Sequence, residues 1–247
     1  MGFEALAMAF LISTGSPPLG TALSRTEPPP SLRAAFTVEI TDGEAFREIH
    51  YDPRIADRNA RWNLIETRGQ SEDLDRVVEE WGSEVSPDGW LIPDDLRASM
   101  GGVVDAQDLG SLWRIEFEHQ PSSNDGPIDV WAGEHLIGYT WLEPVSQQLV
   151  RVEYVAPEGF DVPGNGYVDS YELQYILRQD PEYGVSVISA FMVDVKGEFQ
   201  GDDMARAYRA RVTGLDLFFS SRVEESLYLS RQHEYVPGVI GVAAGQQ

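Results

Sequence analysis

The chain has 247 residues, of which 42% are hydrophobic and 24% charged, and its formal net charge is −23. That length and balance fit one large globular domain or two small ones, and they exclude a disordered chain. A surface this acidic repels phosphate backbones, which disfavours nucleic-acid binding, and the absence of cysteine excludes disulfides, thiol nucleophiles and cysteine-bound zinc.

The N-terminus carries an apolar run over residues 3–12 (FEALAMAFLI), followed by small residues and prolines. Ala22 and Ser24 have the small-x-small spacing of a signal-peptidase site. This pattern predicts a signal peptide over 1–24 and a proline-rich leader over 25–32. We therefore expect a periplasmic protein, and a soluble one, because the chain has no cysteine for lipid attachment.

From residue 33 onward, apolar side chains recur at every second position, which is the period of a β-strand. An Asp-Gly turn at 42–43 separates the first predicted strand from its return strand. A third strand follows, so the domain opens as a meander. The apolar positions singled out in the first and third strands are Phe36, Val38, Ile40, Trp62 and Leu64.

The segment 71–81 has the features of a helix. Ser71 is a plausible N-cap, acidic residues fill the first turn, and apolar residues recur on one face. A second short helix is predicted over 93–100. The apolar stripe of the first helix consists of Leu74, Val77, Val78 and Trp81.

Strands resume at residue 111, and the strand period then dominates as far as residue 213. The helices lie in one early insertion and do not alternate with the strands, so the pattern excludes a parallel α/β sheet and favours one large antiparallel sheet of nine or ten strands. The Gly/Ala-rich segment 233–247 is predicted to be a flexible tail. The later predicted strands are 111–118, with Trp113, Ile115 and Phe117 on one face; 128–132; 135–142; 148–155, with Val150, Val152 and Tyr154 on one face; 171–177; 185–196; and 204–213.

Residues 161–172 have part of the spacing of a calcium-binding loop. Asp161, Asn165, Asp169 and Glu172 occupy positions 1, 5, 9 and 12 of such a loop. Position 3 is Pro163, however, and the flanking sequences do not have helical patterns. We therefore expect a strand-connecting loop here, without a metal.

Motifs of common enzyme and cofactor sites are absent from the sequence. The four histidines do not form a ligand pair at metal-binding spacing, and the chain has no GxSxG, P-loop or GxGxxG motif. We expect a protein that is not an enzyme and needs no cofactor. A hydrolase whose carboxylates come together only in the folded chain stays as a weak alternative.

Two segments resemble a known family. They resemble uncharacterised exported proteins of the LolA/LolB-like periplasmic lipoprotein-carrier superfamily. The first segment is 47–66, with YDP at 51–53 and RWNL at 61–64. The second is 155–175, with Phe160, Pro163 and Gly164 as the matching residues. The resemblance extends over roughly 33–230, and it implies a LolA-like half-barrel domain over 33–232.

The resemblance implies a mainly β fold, with a single large antiparallel sheet curled as an incomplete (half) barrel and two short helices over its concave face. It implies a carrier or sensor of lipid or lipoprotein acyl chains, with an envelope membrane protein as a further partner. The alternative is an envelope structural or interaction module whose apolar core is closed by its own helices. The residues predicted to line the concave face are Phe36, Val38, Ile40, Trp62, Leu64, Trp113, Ile115, Phe117, Val150, Val152 and Tyr154.

Overall fold

The fold is one open antiparallel sheet of eleven strands, seen in a computed structural model that describes residues 19–93, 96–120 and 127–234. The strand order is β3-β2-β1-β11-β10-β9-β7-β6-β5-β4, and β8 pairs with β9. The strands are β1 (Leu32–Thr41), β2 (Phe46–Tyr51), β3 (Trp62–Arg68), β4 (Met100–Asp108), β5 (Trp113–His119), β6 (Ile137–Glu143), β7 (Gln148–Val155), β8 (Phe160–Val162), β9 (Gly166–Gln179), β10 (Ser186–Phe199) and β11 (Asp202–Phe219).

Helical segments are short and connect or flank the strands. None of those described has the length and apolarity needed to cross a bilayer. They are α1 (Leu19–Ser24), α2 (Glu72–Ser83), α3 (Leu96–Ser99), α4 (Pro127–Gly133) and α5 (Arg222–Glu234), with 3₁₀ helices at Arg58–Ala60 and Pro87–Leu91.

The predicted fold class is confirmed, since the protein is mainly β and is built on a single antiparallel sheet that stays open. The predicted helix at 71–81 is α2, and the Ser71 Oγ accepts a hydrogen bond from the Leu74 N–H at 3.2 Å. Within the second predicted helix, over 93–100, Leu96–Ser99 form α3 and Met100 begins β4, while residues 94–95 lie outside the described ranges.

The strand predicted at 128–132 is wrong, since these residues belong to α4. Proline is favoured at the first position of a helix, and Pro127 occupies that position here. The sequence interpretation also missed β4, whose residues do not alternate cleanly between apolar and polar. It missed α5 because the apolar residues of this helix do not form a clear stripe on one face.

The described residues begin inside the predicted signal peptide and end inside the predicted tail. Residues 1–18 of the predicted signal peptide lie outside the described part of the structure, whereas residues 19–24 form α1. In the segment 233–247, His233 and Glu234 end α5, and the remainder of the predicted tail lies outside the described residues.

One face of the sheet, here called the inner face, holds two hydrophobic clusters under separate helical covers. Cluster 1 lies beneath α2 and the Pro87–Leu91 helix, and cluster 2 lies beneath α1 and α3. Cluster 1 consists of Phe36, Val38, Ile40, Ala45, Ile49, Tyr51, Leu74, Val77, Trp81, Leu91, Ile188, Phe191, Tyr208, Ala210 and Val212. Cluster 2 consists of Leu19, Ala22, Leu23, Leu96, Ile115, Phe117, Leu142, Leu149, Val152, Tyr154 and Leu177.

A third cluster joins the sheet to α5. Its residues come from the start of β1, the end of β11 and the segment before β10, and Tyr228 and Leu229 of α5 pack against them. The Tyr183 hydroxyl donates to Glu225 Oε1 at 3.0 Å, which fastens α5 to this end of the sheet. The cluster consists of Leu32, Ala34, Tyr183, Val185, Val187, Leu217 and Phe219.

Adjacent residues of β1 provide a test of which side chains face inward. Val38 is completely buried in cluster 1, whereas Glu39 points to the other face, where it pairs with Arg211 at 2.8 Å. We predict that Val38→Asp lowers the free energy of unfolding by at least about 3 kcal/mol or prevents folding, because the carboxylate would be buried without a partner.

The matched variant Glu39→Ala removes only a surface ion pair, and we predict a change within about 0.5 kcal/mol. Urea denaturation of both variants checks the pair. Equal stability of the two variants would show that the facing of β1 is wrong.

Candidate functional site

The residues predicted to line the concave face mostly lie on the inner face, but the helices cover many of them. The most deeply buried are at most 1% exposed: Phe36, Val38 and Ile40 of β1, Ile115 and Phe117 of β5, and Val152 of β7. Tyr154 is 7% exposed. Trp62 and Trp113 are partly buried at the margins of clusters 1 and 2. The structure therefore divides these residues between two filled clusters, and it does not bring them together around one cavity.

Two of the predicted residues lie elsewhere. Leu64 is 46% exposed on β3, at one edge of the sheet. Val150 is absent from cluster 2, and Leu149 takes its place. The reason is an irregularity in the β6–β7 pairing, where Trp141 faces Arg151 but Leu142 faces Leu149. The extra residue reverses the facing of the side chains before it, which strict alternation does not anticipate.

Cluster 1 is organised around Trp81 of α2. Its ring stacks on Phe36 with centroids 5.5 Å apart and meets Phe191 edge-on at 5.8 Å. The indole N–H donates to the Pro87 carbonyl at 2.9 Å, so the buried polar atom of the side chain is satisfied. These contacts join α2, the Pro87–Leu91 helix and the sheet into one unit.

Charged side chains fix α2 at both ends. Arg47, on β2, is 1% exposed, and its Nε donates to Asp75 Oδ1 in the first turn of α2 at 2.8 Å. Its Nη1 donates to the carbonyls of Phe46 and Arg68 at 2.8 and 3.1 Å. Near the other end, Arg206 of β11 donates to Glu80 at 2.6 Å. The cover over cluster 1 is therefore held by directional bonds as well as by apolar contact.

Cluster 2 is built on a close contact between two strands. The ring of Phe117 lies directly over its cross-strand partner Gly138, where a Cβ would come within 2.1 Å of the ring. Only glycine fits at this position of β6 without displacing the ring. Ser99 of α3 lies 3.0 Å from the Tyr154 hydroxyl, and this hydrogen bond ties α3 to β7.

A half-buried apolar strip, here called the central strip, separates the two covered regions. It consists of Tyr171, Leu173, Tyr175 and Val193. Cross-strand pairing places Leu173 between Tyr154 and Val193, and Val193 in turn faces Tyr208. Tyr175 packs against both clusters. The strip therefore forms a continuous apolar path across the middle of the inner face.

The side of the strip nearest α2 combines an aromatic ring with charges. Burial raises the pKa of Tyr208, nearby Glu80 adds to this, and Arg206 opposes it. The Tyr208 hydroxyl therefore stays protonated at neutral and mildly alkaline pH, and this part of the inner face offers a neutral polar group next to the Arg206–Glu80 pair.

Two measurable cavities lie away from the central strip. The larger, of about 600 Å³, opens on the outer face above β9, β10 and β11, and its lining includes Ile176, Met192 and Arg209. The smaller, of about 400 Å³, lies between the proline-rich segment at 28–30 and the Pro87–Leu91 helix. Neither of these two cavities is a tunnel beneath the helices of the inner face.

The residues that resemble a calcium loop form a hairpin. Val162 of β8 pairs with Gly166 of β9, and the three residues between them make the turn, with Gly164 and Asn165 at positive φ. Asp169 and Glu172 lie along β9. Apart from this three-residue turn, residues 161–172 belong to β8 and β9. Within the described ranges, no group of three or more His, Asp or Glu side chains could hold a metal.

Sequence reasoning identified the strand that supplies most of the central strip but did not assign it to the site. The alternation of Tyr171, Leu173 and Tyr175 was the available signal. Arg47 was missed as well, because an arginine in a strand is usually exposed. Its position in phase with the buried Ile49 and Tyr51 was the clue to its inward orientation.

Comparisons with known proteins show little similarity. No protein-family model matches the sequence, and no curated protein matches it either. A crystal structure of an outer membrane lipoprotein-sorting protein domain from Vibrio parahaemolyticus is 10% identical, with a TM-score of 0.34 over 87% of this chain and 96% of that chain. An isomerase-inactive variant of GphF DH1 is also 10% identical, with a TM-score of 0.15 over 83% of each chain. These TM-scores are too low to assign a fold family.

The anchoring of α2 can be tested at Arg47. We predict that Arg47→Met lowers the free energy of unfolding by about 2 kcal/mol, because the carbonyls of Phe46 and Arg68 and the Asp75 carboxylate lose a buried, charged donor. Arg76→Met is the matched control. Arg76 belongs to the same helix, but its side chain is 64% exposed and forms a surface ion pair with Asp73 at 3.3 Å.

The control should change stability by less than about 0.5 kcal/mol. Chemical denaturation with far-UV circular dichroism measures both variants. A loss that is no larger for Arg47→Met than for Arg76→Met would contradict the anchoring role.

Proposed function

We propose that this protein is a non-enzymatic periplasmic carrier or sensor that holds lipid or lipoprotein acyl chains against the inner face of its sheet. The observation that carries the proposal is the central strip. It is apolar, only half-buried, and continuous with both clusters. An alkyl chain laid along it would gain roughly 0.8 kcal/mol for each CH₂ group removed from water.

The arrangement of the inner face supports this proposal over a catalytic one. The strip offers aromatic and aliphatic side chains, with a neutral tyrosine hydroxyl and an arginine–glutamate pair at one side. Binding by apolar area needs no nucleophile or general base, and the polar groups at the side of the strip suit the head of an amphiphile. The sequence resemblance to the lipoprotein-carrier superfamily points to the same class of ligand.

A second function has a specific observation in its favour. Most of the residues predicted to line an open concave face are packed under α1, α2 and α3 with almost no exposure. A filled interior suits an envelope structural or interaction module that has no lipid cargo. The two hypotheses differ in whether the central strip binds an alkyl chain.

Neighbouring residues of β9 provide the test. Leu173 belongs to the central strip, whereas Gln174 points to the other face of the sheet and lines the outer cavity. We predict that Leu173→Asn weakens the binding of a dansyl-labelled undecanoic acid at least about tenfold, because a polar amide interrupts the apolar path. Gln174→Asn introduces the same residue on the opposite face and should leave the affinity unchanged.

Fluorescence titration of the two variants, with denaturation curves to compare their stability, measures the effect. Equal affinities for Leu173→Asn and Gln174→Asn would remove the central strip as the binding surface. Absence of probe binding to the unaltered protein would favour the envelope module.

A further inference from the structure

The helix α1 covers cluster 2 with apolar side chains only. Leu19, Ala22 and Leu23 are at most 8% exposed, whereas Gly20, Thr21 and Ser24 face solvent. The buried residues pack with side chains of β5, β6, β7 and α3. One side of a six-residue helix thus fills a recess in the inner face of the sheet.

Polar contacts of α1 within the described chain stay inside residues 19–26. Ser24 Oγ donates to the Thr21 carbonyl, and the Thr26 hydroxyl and N–H both donate to the Leu23 carbonyl. α2 differs in this respect, since Arg47 and Arg206 bond it to the sheet. Apolar area is therefore what holds α1 in the recess, and an alkyl chain would be held in the same way.

From Arg25 onward, hydrogen bonds attach the chain to other parts of the protein. Its guanidinium donates to the carbonyls of Ser146 and Gln147 at 2.6 and 3.2 Å, and its own carbonyl accepts from the Ser186 N–H at 2.8 Å. Thr26 is completely buried. α1 can therefore leave its recess while the chain stays anchored from Arg25 onward.

We propose that α1 is an internal plug that occupies a second part of the acyl-chain site, and that a linear alkyl chain binds cluster 2 in its place. The inference rests on the proposed function and deepens it. The side chains of Leu19, Ala22 and Leu23 together contain about nine carbon atoms, so a medium-length fatty acyl chain replaces a comparable apolar volume. The plug acts in the uncleaved chain. Cleavage after Ser24, as predicted from the sequence, would remove the whole of α1 and leave the recess open to an alkyl chain, because the anchored residues begin at Arg25.

The absence of cysteine from the chain makes displacement of the plug measurable. In Leu23→Cys the only thiol lies in the recess, and in Thr21→Cys it lies on the exposed side of α1. The full-length variants are treated with a maleimide with and without saturating dodecanoate, and butyrate serves as a ligand too short to fill the recess. Calorimetry on the same samples reports whether dodecanoate binds.

We expect dodecanoate to accelerate labelling of Leu23→Cys at least about tenfold, because occupancy of the recess by the ligand shifts α1 to its displaced state. Butyrate should leave that rate unchanged, and Thr21→Cys should react fast in every condition. In a second pair, Leu23→Asp should bind dodecanoate at least about tenfold more tightly than Thr21→Asp, since its plug no longer competes.

The outcomes separate the two proposals. Dodecanoate binding without faster labelling of Leu23→Cys, and with equal affinity for Leu23→Asp and Thr21→Asp, overturns the plug but leaves the carrier hypothesis standing. No dodecanoate binding to the unaltered protein or to Leu23→Asp overturns both.

Discussion

Strand pairing joins the backbones of an open antiparallel sheet but leaves its apolar face in contact with water. The rest of this structure depends on how that face is covered. Ten strands follow one another from β3 to β4, with β8 paired to β9 off this path, and they do not close into a barrel among the described residues. The cover that the described ranges provide consists of short helices. Because each short helix buries a limited area, the cover is assembled from separate pieces, and the piece over cluster 1 differs from the piece over cluster 2.

The helices over clusters 1 and 2 are attached to the sheet in different ways. Around Trp81, aromatic packing combines with the buried Arg47 and with the Arg206–Glu80 pair, so α2 is fixed in place. Over cluster 2, α1 contributes leucines and an alanine, and its polar contacts with the described residues stay inside 19–26. Between them the central strip is half-buried. Cluster 1 thus lies under a helix that is bonded to the sheet, whereas the α1 part of the cover over cluster 2 is held by apolar area.

The sequence was a good guide to the sheet and a poorer guide to its cover. Alternation identified the inward faces of β1 and β5 and the antiparallel class, because a strand that is half exposed shows a period of two. It failed at Val150, where an extra residue in β7 reverses the facing, and at 128–132, where a helix forms. The sequence pattern also did not indicate that residues 19–24 pack into cluster 2. These residues were predicted to be removed as part of a signal peptide. Such a contact joins segments that are far apart in the chain, so no local pattern encodes it.

The two functional hypotheses make opposite statements about the inner face, as a surface that shelters a ligand or as a core complete in itself. Mass spectrometry of lipids that co-purify with the protein from its native envelope, without added detergent, distinguishes them most directly. We expect acyl-bearing lipids or lipoproteins to be bound in near-stoichiometric amounts and to be depleted in preparations of Leu173→Asn. Lipid-free protein from the same envelope, with an unchanged fold, would contradict the claim that the sheet shelters acyl chains.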